Sequence, residues 1–166
     1  MNTNTHFLFN IDSPAKKLYI ERVFQAAPAD VWNAWTIPSL LNQWWAPEPW
    51  KAETKNMDFR EGGSWIYAMA GPDGTRNWSR ADFLQIQTGE KFVSRDCFCD
   101  ENGIKDESLP AMIWTVEFMP KDAFTLVRIT IDYDTTEDMH RVMQMGFREG
   151  FTAGLQNLDK LLSSRS

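Results

Sequence analysis

The sequence predicts an α+β protein. A curved antiparallel sheet of about six to seven strands wraps around a long C-terminal helix, and two short helices follow the first strand. Three observations carry this reading. The segment "KKLYIERVFQA" alternates, with Leu18, Ile20, Arg22 and Phe24 on one face and Lys17, Tyr19, Glu21 and Gln25 on the other, the signature of a half-buried strand. From Trp50 to Tyr133 the pattern is strand and turn throughout. Beyond that, Met139, Met143, Phe147, Phe151, Leu155, Leu158 and Leu161 form one broad stripe at helical spacing.

The elements follow in order. In "APADVWNAWTIPSLLNQWW", Pro28 suits a helix start, and Val31, Trp32 and Trp35 share an apolar face. Pro38 ends that helix, and a second short one carries Leu40, Leu41, Trp44 and Trp45. "APEPW" is a stiff loop, because its two prolines deny both helix and ladder. "SWIYAMA" places Trp65, Tyr67 and Met69 on one face, and "GPDG" makes a turn in which Pro fixes φ and Gly supplies a positive one. "NWSRADFLQI" and "KFVSRDCFC" are strands, "CDENGIKDESLP" is a polar loop, and "AMIWTVEFM" and "AFTLVRITIDY" are two further alternating strands. Thr135 reads as an N-cap, with Glu137 and Asp138 placed for the helix dipole, and one helix is expected to run to about Leu162. Residues 1–15 are expected as an N-terminal tail and 16–163 as a single domain.

Composition narrows the function. The chain has 166 residues, with 24% charged and 43% hydrophobic, as in a globular protein. No apolar run approaches a membrane span, and the N-terminus lacks the basic and apolar regions of a signal peptide, so a cytoplasmic location is expected. A net charge of −6 without a Lys/Arg-rich run argues against nucleic-acid binding. Cys97 and Cys99 project from one face of a strand as packed, reduced thiols, and His6 and His140 stand alone, so neither a metal nor another cofactor is expected. The oddity is eight tryptophans, more than a core of this size needs.

Three motifs carry a family resemblance. "RVFQAAPADVWNAWTIPSLLNQWW" matches R-x-F-x-A-x-P-x-x-V-W-x-A-x-T-x-P-x-x-L-x-x-W-W through Arg22, Phe24, Ala27, Pro28, Val31, Trp32, Thr36, Pro38, Leu41, Trp44 and Trp45. "DFREGGSW" carries Asp58, Arg60, Gly62, Gly63 and Trp65, and "GFTAGLQNLDKL" repeats a closing G-W-x-x-x-L motif with Phe151 in place of the usual Trp. From about residue 16 to 162 the chain resembles the activator-of-heat-shock-protein-ATPase-homologue-like family of the START-like (SRPBCC) superfamily. That resemblance implies the helix-grip fold, and a chaperone partner and a part in stress response are implied by the family's name.

The candidate site residues divide by chemistry. Arg22 falls on the inner face, where its guanidinium either pairs with a core carboxylate, Asp82 or Asp96, or anchors a ligand carboxylate or carbonyl. Trp44, Trp45 and Trp50 flank the Pro-rich loop at the expected mouth of the grip, as an aromatic wall with N–H handles. Trp65 and Trp114 are inner-face residues that serve as core or as pocket wall, and Trp35 packs the first helix beside them. Met143 and Phe147 lie on the helical stripe. Gly146, Gly150 and Gly154 recur every fourth residue at a cost of about 0.8–1 kcal/mol each. Either the helix backbone presses closely on a neighbour there, or Gly150 and Gly154 leave room for a ligand. Asn157 is expected to face solvent.

No nucleophile–histidine–acid constellation exists to specify a reaction. The leading expectation is a protein, monomer or homodimer, that holds a small apolar or aromatic ligand between sheet and helix without evident catalysis. A chaperone-associated interaction module is the second, and a cofactor-free polyketide cyclase-like or hydrolase-like enzyme the third. A buried carboxylate of raised pKa in the pocket would favour that third reading.

Overall fold

The computed structural model describes residues 6–165. It contains strands β1 (Phe7–Asp12), β2 (Lys17–Phe24), β3 (Lys51–Met57), β4 (Ser64–Ala70), β5 (Arg76–Gln87), β6 (Lys91–Cys99), β7 (Met112–Lys121) and β8 (Phe124–Tyr133). Helices α1 (Pro28–Thr36) and α2 (Pro38–Trp44) follow β2, and α3 (Thr136–Gln144) and α4 (Phe147–Arg165) close the chain. The strands form one antiparallel sheet in the order β1-β2-β8-β7-β6-β5-β4-β3. This is the α+β helix-grip architecture that the sequence predicts, with eight strands instead of six or seven.

The extra strand is β1. It lies within the stretch expected as a tail, and it pairs with β2 from Phe7↔Arg22 to Asp12↔Lys17. Alternation then sorts the faces. Leu18, Ile20 and Phe24 of β2, Val127, Ile129 and Ile131 of β8, and Trp114, Val116 and Phe118 of β7 are buried in one core. Onto it α4 lays Phe151, Leu155, Leu158 and Leu162, and α1 and α2 add Val31, Trp32, Trp35, Leu41 and Trp44. The proline at the head of each of α1 and α2 fills a position whose N–H would be orphaned in any case.

The final helix is two helices. Thr135 caps α3 by accepting from the Asp138 N–H at 3.0 Å, as expected. The chain then breaks at Gly146, whose φ of +88° puts it in the left-handed region that terminates helices. The one continuous helix expected to run to about Leu162 is corrected on that ground: Gly146 is a helix stop, not a residue inside the helix.

Candidate functional site

The space between sheet and helices is filled with rings. Trp45, delivered by the C-terminal end of α2, is the hub. Its ring centroid lies 5.2 Å from Trp44, 5.8 Å from Trp35, 5.4 Å from Trp65, 5.8 Å from Trp114 and 5.9 Å from Phe151. Most of these contacts are edge-to-face, which matches ring edges to negatively charged ring faces. Trp65 stacks on Tyr67 at 3.9 Å, and Phe147 stacks on Phe151 at 5.3 Å.

Trp35, Trp45, Trp65 and Trp114 line one cavity, joined by Ser94 and Asp96 from β6. It is small, about 20 Å³ measured at the centre of a water-sized sphere, which is room for about one water molecule. Three of the lining indoles (Trp35, Trp45 and Trp114) have a buried Nε1–H with no hydrogen-bond acceptor, and so does the nearby Tyr133 hydroxyl. The Trp45 side chain is a hydrogen-bonding neighbour of the Tyr67 hydroxyl and opposes the rise in its pKa, yet no acceptor meets its Nε1–H in full hydrogen-bond geometry. Each buried, unpaired donor costs about 1–3 kcal/mol. Trp65 is satisfied instead, donating to Thr54 Oγ1 at 3.0 Å.

Asp96 is the ionisable member of the lining. Its residue is only half-buried, but the protein packed around the carboxyl withdraws it from water and pushes its pKa from 3.8 up to about 7. The hydrogen bond that Ser94 Oγ donates to Oδ1 at 2.6 Å opposes that rise, and the negative charge of Asp82 adds to it. Among the described residues, no group of three or more His, Cys, Asp or Glu side chains is placed to hold a metal. Cys97 and Cys99 are free thiols with raised pKa values, chiefly through burial.

The other expected site residues fall elsewhere. Arg22 points inward over the Phe7 and Phe24 rings and donates through Nη2 to Asp159 Oδ2 of α4. Its partner is neither Asp82 nor Asp96. Asp82 is on the outer face, bound by Ser64 at 2.6 Å and Arg80 at 2.8 Å, which outweigh burial and keep its pKa low. Trp44 is not at a mouth: it is fully buried and donates from Nε1 to the Ala34 carbonyl at 2.8 Å. Trp50 is half-buried with its ring against Gly71, outside the cavity lining. Met143 packs on the core, and Phe147 meets Trp114 at 5.9 Å, without lining the cavity.

Gly154 answers the question of the glycines for its own position. A Cβ there would stand 3.1 Å from the Trp45 carbonyl oxygen and 3.3 Å from that of Trp44. The helix backbone presses on the end of α2, and no room for a ligand exists at that point. Asn157, one turn on, does not face solvent: it is half-buried and donates to the Ala46 carbonyl at 3.1 Å and to the Trp44 carbonyl at 3.4 Å. Gly150 lies in ordinary contact with Pro47, 3.7 Å from the place of its missing Cβ. Gly154 and Asn157 thus clamp the segment that carries Trp45.

Comparison with known proteins places the fold. The family model described as "Activator of Hsp90 ATPase homolog 1-like protein" matches residues 25–163. No curated protein matches the chain. Among solved structures, a protein from Arthrobacter aurescens is 30% identical, with a TM-score of 0.89 over 95% of this chain and 91% of its own. Protein Ms6760 from Mycobacterium smegmatis is 26% identical, with a TM-score of 0.87 over 95% and 96%. A Staphylococcus epidermidis protein is 27% identical, with a TM-score of 0.82 over 95% of both chains. With a common fold along nearly its whole length and the family model matched over most of it, this chain belongs to the activator of Hsp90 ATPase homolog 1-like family.

Proposed function

We propose that this protein binds a small aromatic or apolar molecule bearing a hydrogen-bond acceptor, in the cavity between the sheet and the helices. The observation that carries the reading is that Trp35, Trp45 and Trp114, three residues lining one cavity, each have a buried indole N–H without a partner. Packing alone gives no reason to leave three donors unpaired, whereas a ligand carbonyl or hydroxyl satisfies them. A cavity of about 150 Å³ is what a benzene-sized guest occupies, so this guest enters by displacing a ring. Trp45 is the ring at the hub, on the segment that Gly154 and Asn157 clamp. Native mass spectrometry of the protein as purified tests the reading, together with titration of an apolar fluorescent probe against indole emission. Retained small molecules, or micromolar probe binding that shifts the indole emission, support it. A protein that carries nothing and leaves the probe unbound overturns it.

Asp96 favours a second reading, in which the bound molecule is also a substrate. A carboxyl that titrates near neutrality suits general acid–base work, as a cofactor-free cyclase or hydrolase would need. The chaperone association implied by the family's name finds its support in the partly exposed Phe7 and Ile11 on the edge strand β1.

A further inference from the structure

The cavity is unusual in what it lacks around its one carboxyl. Strand alternation on β6 sends Phe92, Ser94 and Asp96 inward and Arg95 outward, opposite Asp82 of β5. The cations of this region gather on the outer face: Arg80 and Lys105 both reach Asp82, at 2.8 Å and 3.4 Å. They are spent on the wrong side of the sheet. The influences on Asp96 are burial, the Ser94 hydroxyl and the charge of Asp82, none of them cationic. The other titratable groups that feel its charge are Tyr67 from β4, Tyr133 from β8 and its chain neighbour Cys97, all neutral, with pKa values raised by burial and by Asp96 itself. From β7 it is faced by Met112, its register partner, and the cavity opposite is walled by Trp45, Trp65 and Trp114.

A carboxylate enclosed by aromatic rings with no counter-cation is half of an ion pair. Burying such a charge alone is costly, and ring faces attract cations, by about 2 kcal/mol or more when the site is dry. We infer that the cavity selects an organic cation, a protonated primary amine on a small aromatic body, with its ammonium on Asp96 and its ring among Trp45, Trp65 and Trp114. This rests on the binding reading above and adds the charge of the ligand to it. The acceptor that satisfies the indole N–H groups then belongs to the body of the same molecule.

Three probes of similar size and different charge separate the two claims: benzylamine, benzyl alcohol and benzoate, each titrated against the full chain at pH 8 and pH 6 by calorimetry. Benzylamine is expected to bind at least about tenfold more tightly than benzyl alcohol at pH 8, and benzoate most weakly of the three. Benzylamine stays protonated at both pH values, so its affinity should fall about tenfold at pH 6 as Asp96 takes up its proton. That ratio is read on the unaltered protein and needs no variant. Asp96→Asn should erase the preference for benzylamine while benzyl alcohol binding remains. If benzyl alcohol binds as tightly as benzylamine and neither responds to pH, the cavity does not select cations, and the binding reading survives alone. If none of the three binds, both fall.

Discussion

Gly146, Gly150 and Gly154 look identical at their spacing in the sequence, yet each answers to a different force, and substitution should separate them. Gly154→Leu thrusts a side chain at the backbone carbonyls of Trp44 and Trp45, and overpacking of this kind costs about 1–3 kcal/mol. Gly146→Ala meets no steric neighbour, but it places a side chain at a φ of +88°, which costs about 1–2 kcal/mol. Gly150→Ala makes only ordinary contact with Pro47 and should stabilise, by up to about 1 kcal/mol of helix propensity. Urea denaturation of the three variants checks the signs; a stabilised Gly154→Leu would contradict the close approach. Asp96 gives a pH signature at the same scale. Its native pKa of about 7 lies above the ordinary 3.8, so between those values the folded state holds a proton that the unfolded chain has released. Stability from this group is fully present below about pH 4 and is lost as pH rises towards and past 7. Melting temperatures of the protein and of Asp96→Asn, compared from pH 4 to pH 8, should therefore converge or cross in the variant's favour as pH rises. A difference independent of pH would show that Asp96 titrates normally.

Between elements, the contact most open to test is the one from β2 to α4. Arg22 is mostly enclosed, with its side chain 15% exposed, and its Nε already lacks a partner. Among the described residues, Asp159 supplies the one opposite charge paired with it. Asp159→Asn should cost about 1–2 kcal/mol, because it leaves a buried guanidinium without an anion, while Asp159 itself is exposed enough to lose little. Arg22→Met keeps the stem packed against Phe24 and should be milder than Arg22→Ala; equal losses would mean that the charge, not the packing, dominates. The inward direction of Arg22 was legible in the sequence from the alternation of Leu18, Ile20 and Phe24. Its partner was not, because Asp159 is 137 residues away and sits where the helical stripe reads as solvent-facing. Strand β1 was legible in principle, since Phe7, Phe9 and Ile11 alternate. Leu8 on the opposite face blurs that pattern, and only pairing with β2 settles it. The break at Gly146 was not legible, because helical spacing records which residues share a face and not the sign of φ.

At the scale of the whole molecule, strand order places the first long strand beside the last, β2 against β8, so α4 returns over a sheet whose middle strands, β4 to β7, supply Trp65, Ala81, Asp96 and Trp114 to one lining. The aromatic wall was legible as a surplus of tryptophan. Its sorting into core, hub and lining was not: Trp44 and Trp45 are adjacent in sequence, yet one is a satisfied core residue and the other an unsatisfied hub. The central claim is that the unsatisfied indoles await a ligand. The most direct measurement is the ¹H–¹⁵N spectrum of the tryptophan side-chain N–H groups, followed while benzyl alcohol, whose hydroxyl can accept, is added. The Trp35, Trp45 and Trp114 resonances are expected to move together and saturate, with the Trp44 N–H, already bonded to Ala34 and outside the lining, moving far less. Resonances of Trp35, Trp45 and Trp114 that stay fixed up to millimolar ligand would contradict it.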